Sequence, residues 1–346
     1  RSNVLHAMMS LNRDIFGLGS TDVVMPVVPM FHANAWGLAF SCAIAGAKMV
    51  TPGGQLDGAS IYELLDREKV TIAAAVPTVW LGLLQHLRAE GLELAPLRRV
   101  VIGGSALPEA ILRAYEEEFG VEVVHAWGMT ETSPLGTAAT VPTHLVDAPR
   151  DVQVAQKLKQ GTPPFGVDIK VIDDTGSEIA WGGGASGRLL VRGFAVVSSY
   201  FRGERDSVID ADGFFDTGDV GTIDEFGAMK ITDRAKDVIK SGGEWISSID
   251  IENMAVAHPD VAEAAGIGVP PPKWGERPPL LVVAKEGRAL DPKSVLEFVG
   301  AKLAKWQRPD ACRVVAEIPH TATGKINKLR LRQDFKDVDV TSDAAG

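Results

Sequence analysis

Cysteine is scarce in this sequence of 346 residues, which contains only Cys42 and Cys312. The two lie far apart, and neither stands in a cluster of possible metal ligands. A disulfide framework and a zinc site both need more such residues at short spacing, so we expect neither. A reducing compartment, the cytoplasm, is the location that this composition favours.

Positive charge is also in short supply. Lys and Arg number 35 against 45 Asp and Glu, which gives a formal net charge of -10. Binding to the backbone of a nucleic acid needs a basic surplus that neutralises phosphates, so we expect no nucleic-acid partner. A local basic pocket for one phosphorylated ligand is still compatible with this balance.

Long uninterrupted apolar runs are missing as well. The most apolar stretch, 23–50, is broken by two prolines, a histidine, an asparagine and a lysine, so we expect no transmembrane segment. The sequence begins RSNVLHAMM, with neither an initiator Met nor the pattern of a signal peptide. We expect it to be the interior part of a longer protein.

Strands alternate with helices between residues 71 and 126. VTIAAAV, RRVVIGG and VEVVHA have the length and apolar character of buried strands. Helical stretches follow from Pro77 to about Glu90, and from Pro108, as a first helical position, to Gly120. This alternation predicts parallel strands covered on both faces. Ligands collect at the carboxyl ends of such strands, where GGSALP and WGMTE lie.

From about residue 151 the pattern changes to short strands and turns. GVDIKVID, GRLLVRG and MKITDR, separated by turn sequences, predict an antiparallel barrel or meander. Past Arg234 the pattern indicates a compact α+β unit. Its predicted elements are a hairpin around Gly242 and Gly243, a helix near 248–257, a strand at 280–284, a helix capped by Asp291 with Pro292 in its first turn, and a strand at 313–318.

The sequence therefore predicts an α/β fold in three parts. A parallel-sheet subdomain over 1–150 and a barrel-like subdomain over 151–235 form a large N-terminal domain. A smaller α+β domain follows over 236–336, and 337–346 form an acidic tail that we expect to be frayed.

Several polar residues could carry chemistry, and each has a structural alternative. Asp219 could accept two hydrogen bonds from a ribose diol, or could belong to an ordinary turn. Arg234, Lys236 and Lys240 could bind ribose or phosphate oxygens, or could line a solvated strand edge. Lys325, in TATGK, could meet a developing negative charge, or could lie in a polar connection.

The apolar N-terminal half offers three further candidates. Glu131 could ligate Mg²⁺, which prefers oxygen donors, or could cap a local turn. His32 and Trp36 lie in PMFHANAW. A core role is the default for an aromatic residue in an apolar run, and most lone histidines are structural.

Taken together, these motifs resemble the adenylate-forming superfamily, which comprises acyl-CoA synthetases, firefly luciferase and carrier-loading adenylation domains. GGSALP, WGMTE, TGD, DRAK with Lys240, and TGK stand in the order of that family. The likeness runs from about residue 20 to 333. KSGGEWISS and PMFHANAW are most similar to the medium- and long-chain fatty-acyl-CoA synthetases, a branch that includes methylmercaptopropionate-CoA ligase-like members.

The resemblance implies two half-reactions. A carboxylic acid, with a fatty acid favoured, attacks the α-phosphorus of Mg·ATP and forms an acyl-adenylate and pyrophosphate. The thiol of coenzyme A then attacks this anhydride, releasing AMP and an acyl thioester. Between the steps the small domain would rotate about Lys236, withdraw Lys325 and bring the SGGEW hairpin to the pantetheine tunnel.

The resemblance also implies roles for individual residues. Trp127 would face adenine, Thr130 would bond the α-phosphate, Glu131 would hold Mg²⁺ and Asp219 would hold both ribose hydroxyls. The implied catalytic residues are Lys325, Lys240, Lys236 and His32. The implied nucleotide-binding residues are Gly104, Ser105, Ala106, Trp127, Gly128, Met129, Thr130, Asp219, Arg234 and Trp245. The acid would contact His32, Trp36, Gly103 and Ala126, with Trp36 as a gate on its channel.

Two departures from the family pattern stand out. The family usually has Tyr at the position of Trp127, and a larger aromatic should still stack on adenine. The Ser/Thr/Gly-rich phosphate loop of the family would come before residue 1. WGGGASG, 181–187, does not replace it, because it lacks a Lys-Ser/Thr pair and lies between strands. We therefore expect residues 1–346 alone to adenylate poorly.

Two alternative functions stay open. The first is an adenylating enzyme that loads the pantetheine arm of a carrier protein. The second is a non-catalytic fragment that binds a nucleotide or an acyl group, which the missing loop favours. Acid length and oligomeric state are not defined by the sequence, and a homodimer stays open.

Overall fold

The chain forms two compact units in a computed structural model that describes residues 2–182, 184–203, 207–241, 244–268, 278–321 and 325–335. The large unit comprises Arg1–Thr217 and Gly221–Ile231. The small unit comprises Gly218–Val220 and Thr232–Gly346. The predicted boundaries between three domains stay predictions.

Helices and strands follow one another along both units. Within the described ranges the helices are α1 (Ser2–Ala7), α2 (Ala33–Trp36), α3 (Leu38–Ala45), α4 (Gly58–Arg67), α5 (Pro77–Glu90), α6 (Glu109–Arg113), α7 (Arg150–Leu158), α8 (Ser248–Val256), α9 (Pro292–Gly300) and α10 (Lys328–Asp334). The strands are β1 (Val23–Pro26), β2 (Lys48–Met49), β3 (Ile72–Ala75), β4 (Arg99–Gly103), β5 (Glu122–Gly128), β6 (Leu135–Ala139), β7 (Val167–Ile172), β8 (Gly187–Gly193), β9 (Phe215–Ile223), β10 (Met229–Arg234), β11 (Ile239–Ser241), β12 (Glu244–Ile246), β13 (Val261–Gly266), β14 (Pro279–Ala284) and β15 (Ala311–Val314).

A six-stranded sheet organises the N-terminal part of the large unit. Its order is β2-β1-β3-β4-β5-β6, with parallel pairs from β2 to β5 and an antiparallel β6 at the edge. Successive residues of β3 alternate between two apolar cores, with Ala73 and Ala75 in one and Ile72 and Ala74 in the other. Burial on both faces explains the continuous apolar run, and the predicted parallel sheet is confirmed.

The helices of this sheet begin close to the predicted positions. Pro77 is the first residue of α5, which ends before Gly91 in a left-handed conformation. Pro108, predicted as a first helical position, is instead the extended cap residue before α6. Its carbonyl accepts hydrogen bonds from the amides of Ile111 and Leu112, so the helix begins one residue later.

A four-stranded sheet follows in the order β10-β9-β8-β7. This order is the meander alternative of the prediction. A short segment joins it to the first sheet within the large unit, because Gln160 donates to Met229 (2.9 Å) and Thr162 donates to Ala138 (3.0 Å). Gly161 lies between them with φ +84°, and a Cβ there would lie 2.0 Å from the carbonyl oxygen of Ala138. Glycine is therefore required at this junction.

The small unit contains the sheet β13-β14-β15 and the antiparallel pair β11-β12. Asp291 caps α9 by accepting from the amide of Lys293, and Pro292 begins the helix, as predicted. The strand predicted at 313–318 is wrong in its bounds, since β15 runs from Ala311 to Val314 and its pairing with β14 ends there. Gly242, Gly243 and the predicted tail lie outside the described residues.

Candidate active site

The carboxyl ends of β4 and β5 bring together three residues predicted to contact the acid. Gly103 lies opposite Ala126 in the parallel register. A Cβ on Gly103 would lie 2.7 Å from the carbonyl oxygen of Ala126 and 3.3 Å from the indole of Trp36. Only a glycine therefore lets this ring approach the strand end.

A left-handed turn places Trp36 at this position. Ala33, Asn34, Ala35 and Trp36 have φ values of 46°, 54°, 53° and 55°. Left-handed helical backbone costs roughly 1–2 kcal/mol for each L-residue, so it persists only where surrounding structure holds it. Ala35 is fully buried, and half-buried His32 immediately precedes the turn. The sequence carried no signal for this conformation.

The loop after β4 contains the residues predicted to line adenine. Gly104 turns the chain with φ +82°, Ser105 is exposed and Ala106 is half-buried. His125, buried in β5, lies 3.1 Å through Nδ1 from the carbonyl oxygen of Leu158 and also contacts the backbone of Ser105. His125 thereby connects this loop to the strand beside it. Sequence reasoning missed this role, although a lone histidine inside an apolar strand was a visible signal.

Burial lowers the pKa of His125 from 6.5 to about 4, against the opposing effect of nearby backbone carbonyls. The unfolded chain binds a proton below pH 6.5, whereas the folded chain does not until about pH 4. The contribution of His125 to the free energy of unfolding is therefore fully present above pH 6.5, and it is lost as the pH decreases towards 4. We expect the unfolding free energy to be about 2 kcal/mol lower at pH 5 than at pH 8 from this group alone.

Denaturant unfolding at both pH values, monitored by tryptophan fluorescence, measures this difference. His125→Asn should flatten the pH dependence, whereas the exposed His144→Asn serves as a matched control and should retain it. An unchanged slope in His125→Asn would assign the acid sensitivity to another group.

Trp127 is largely buried. Its side chain is 8% exposed and packs with Val191, Phe215 and Met229 in the core of the large unit. A Cβ on Gly136 would lie 2.2 Å from the indole, so the ring occupies the space above that glycine. This packing holds the indole in place, and its predicted stacking on adenine stays a prediction.

The turn after Trp127 contains Thr130 and Glu131, the polar residues of the WGMTE motif. A Cβ on Gly128 would lie 1.9 Å from the carbonyl oxygen of Pro134, and Met129 is half-buried beside it. Buried Thr132 accepts from the amide of Met129 at 3.0 Å and fixes the turn. Thr130, which begins the turn, is exposed.

Glu131 is held by a neighbouring segment. The amide of Val197 donates to its carbonyl oxygen at 2.8 Å, and the hydroxyl of Tyr200 donates to its Oε1 at 2.9 Å. Sequence reasoning missed Tyr200 and Thr132. In the part of the chain that the structure describes, no group of three or more His, Cys, Asp or Glu residues could hold a metal ion. The hydrogen bond from Tyr200 orients the Glu131 carboxylate.

Two predicted nucleotide-binding residues, Asp219 and Arg234, and the predicted catalytic residue Lys325 meet in the small unit. Arg234 Nε lies 2.8 Å from Asp219 Oδ1, and the Asp219 side chain is only 4% exposed. Burial lowers the pKa of Lys325, the charge of Arg234 lowers it further, and the carboxylate of Asp219 opposes both. The arrangement combines a buried carboxylate with two cations, which suits a ligand that carries both a diol and phosphate.

A turn holds Lys325 in this cluster. The amide of Thr321 donates to the carbonyl of Lys325 at 2.8 Å, and the amide of Lys325 donates to the Thr321 hydroxyl at 3.2 Å. The intervening residues, 322–324, lie outside the described ranges. Lys236 is exposed in the turn after β10. Lys240 and Trp245 lie opposite each other on β11 and β12, and their side chains are outside the described part.

The fold and these sites define the class of protein. The sequence profile of the AMP-binding enzyme family matches residues 1–201, and that of the AMP-binding enzyme C-terminal domain matches residues 250–325. The chain therefore belongs to the AMP-binding enzyme family.

Individual relatives indicate which branch of this family the chain resembles. The chain is 50% identical over 337 residues to 3-methylmercaptopropionyl-CoA ligase of Ruegeria lacuscaerulensis, covering 97% of this chain and 62% of the relative. It is 47% identical over 338 residues to medium-chain-fatty-acid–CoA ligase of Ectopseudomonas oleovorans, covering 98% and 62%. The crystal structure of ATP-bound MatB from Rhodopseudomonas palustris superposes with a TM-score of 0.83 at 29% identity, covering 97% of this chain and 64% of that one.

These comparisons support the predicted resemblance to the fatty-acyl branch. The chain spans 62% of the length of the two curated relatives. Among the residues that the structure places, no helix combines the length and the apolar character needed to cross a membrane.

Proposed function

We propose that the protein is an ATP-dependent acyl-CoA ligase. It would form an acyl-adenylate and pyrophosphate from a carboxylic acid and ATP, and then transfer the acyl group to coenzyme A with release of AMP. The observation that carries this proposal is the meeting of Asp219, Arg234 and Lys325. The names of the relatives, which are CoA ligases, support it.

In this proposal the small unit binds ribose and stabilises charge. Asp219 would accept from both ribose hydroxyls, and Arg234 would hold this carboxylate in its orientation. Lys325 has a lowered pKa because it is buried near another cation. Negative charge that develops as pyrophosphate leaves would favour its protonated form. Positioned cations are the main contribution that a protein makes to this type of reaction.

The large unit would contribute Thr130 to the α-phosphate and Glu131 to Mg²⁺. Mg²⁺ is typically bound by one or two carboxylates together with substrate phosphates and water, and a single oriented carboxylate fits that requirement. The ion would arrive with ATP and neutralise charge on the phosphate oxygens. The backbone of residues 104–106 and the segment 127–129, in which Gly128 and Met129 are half-buried, are the surfaces we propose for adenine.

We propose an aliphatic acid as substrate. Trp36, Gly103 and Ala126 form an apolar surface beside His32, and the relatives act on fatty acids or methylmercaptopropionate by their names. Coenzyme A would enter after a rearrangement about the exposed turn at Lys236, with Lys240 and Trp245 on the hairpin that follows. We also propose a cytoplasmic location, on the low cysteine content.

Trp36→Ala should change acid selectivity with little effect on ATP. Removing the indole opens space beside Gly103, so longer acids should gain relative to shorter ones by about tenfold in kcat/KM. The measurement is pyrophosphate release over a series of acids. Trp181→Ala, which removes a 53% exposed indole from the same unit, is the matched control. Reduced thermal stability with unchanged selectivity would indicate that Trp36 is only a packing residue.

A screen of carboxylic acids by ATP-dependent pyrophosphate release tests the proposed function. Acyl transfer is then compared between coenzyme A and the pantetheine arm of a carrier protein. Transfer to coenzyme A is the expected result, and transfer only to the carrier would favour the carrier-loading alternative. Binding of AMP without turnover for any acid would favour the non-catalytic alternative.

A further inference from the structure

A buried ion cluster lies next to Lys325 in the small unit. Lys328, the first residue of α10, places Nζ 2.7 Å from Glu252 Oε1 and also donates to the hydroxyl of Ser248. Ser248 in turn donates to Asp233 Oδ2, from its amide at 2.7 Å and from its hydroxyl at 2.6 Å. The Lys328 and Glu252 side chains are 11% and 13% exposed, and Asp233 and Ser248 are more deeply buried.

The cluster holds one cation between two carboxylates. Burial raises the pKa of Asp233 and of Glu252. The pKa of Lys328 is raised overall, since these two carboxylates outweigh the lowering effect of its burial. Glu252 also accepts from the amide of Gly266 at 2.9 Å. Each buried charged group is therefore paired and hydrogen-bonded, as such groups must be in the interior of a protein.

The same cluster joins three elements around the candidate site. Asp233 directly precedes Arg234 at the end of β10, Glu252 lies in α8, and Lys328 begins α10. One turn later on α10, Arg332 Nη2 lies 2.6 Å from Asp237 Oδ1. Two cations of α10, Lys328 through Ser248 and Arg332 directly, thus hold residues on both sides of the turn that contains Lys236. Lys325 lies three residues before Lys328, so the anchored start of α10 also limits where Lys325 can lie.

We propose that Lys328 is a positioning residue that fixes Lys325 beside Arg234 and Asp219. It acts through its contacts with Glu252 and Ser248, and Ser248 connects it to Asp233. The inference rests on the proposed function. Lys328 itself touches no reacting group. Buried ion pairs often add little net stability but specify one geometry, which is the effect assigned to this cluster. A small displacement of a charge-stabilising group is enough to lower the rate of a reaction strongly.

Lys328→Met tests the inference. We expect acyl-adenylate formation to fall about 10- to 100-fold in kcat with the KM for ATP nearly unchanged. Thioester formation from a supplied acyl-adenylate should stay within about twofold, because Lys325 acts in the first step only. Arg330→Met removes a 67% exposed cation from the same helix and should change neither half-reaction.

A second readout does not depend on turnover. Trypsin cleavage after Lys325, followed by mass spectrometry, should accelerate about fivefold or more in Lys328→Met, since the start of α10 loses its anchor. If Lys328→Met does not fold, Glu252→Gln is the variant to test, because it keeps the shape of the cluster. It should show the slower adenylation and the faster cleavage more weakly. Lys328→Arg retains the charge and should restore most of the activity.

The outcomes separate the inference from the proposed function. Equal losses in both half-reactions that follow the loss of thermal stability, or unchanged cleavage and adenylation, would show that the cluster is only structural. Absence of both half-reactions in the unaltered full-length protein with every acid would overturn the proposed function and this inference with it.

Discussion

Replacement of Lys325 by alanine in the full-length protein is expected to lower the rate of acyl-adenylate formation by about 10²–10³, while thioester formation from a supplied acyl-adenylate stays near its original rate. Lys325 belongs to the small-unit site but lies on a turn outside β9 and β10. Its loss removes a donor for the charge on departing pyrophosphate. Asp219 and Arg234 remain in place, so the nucleotide should still bind.

The two half-reactions are measured separately, as pyrophosphate release and as thioester formation. Arg330→Ala removes an exposed cation from the adjoining helix and is the matched control. Equal loss in both half-reactions would contradict a role confined to the first step. It would also remove the reason to propose rearrangement about Lys236.

Replacement of Asp219 by alanine should lower the affinity for ATP and AMP by two to four orders of magnitude, while the affinity for the acid changes little. Two hydrogen bonds from ribose hydroxyls to a carboxylate are lost, and each is worth about 1.5–3 kcal/mol. Arg234 also loses the partner that orients it. Because the Arg234 side chain is 43% exposed, water can solvate its charge in the variant, so folding should survive.

Calorimetric titration with AMP measures this loss without any need for turnover. Asp216→Ala is the matched control, since Asp216 lies on the same strand and its side chain is 42% exposed beside Arg188. If Asp219→Ala folds normally and binds AMP with normal affinity, Asp219 has only a structural role in the strand and its turn.

Local pattern was sufficient to predict much of the fold. The alternation of β3 between two cores, the start of α5 at Pro77 and the capping of α9 by Asp291 depend on residues close together in sequence. Their periodicity and capping chemistry operate over a few residues, so they can be recognised without the tertiary structure. The errors, at Pro108 and at β15, concern ends of elements, where pairing with distant backbone decides the boundary.

The sequence by itself also predicted a set of nucleotide-binding residues, because the types and order of motif residues are read directly. Only the tertiary structure decided how they are used. It buried Trp127 under strands from the second sheet, set Trp36 in a left-handed turn, and brought Lys325 to Asp219. It also placed Lys328 against Glu252 and Ser248. Exposure and charge pairing depend on which distant segments cover a side chain, and no local pattern encodes that.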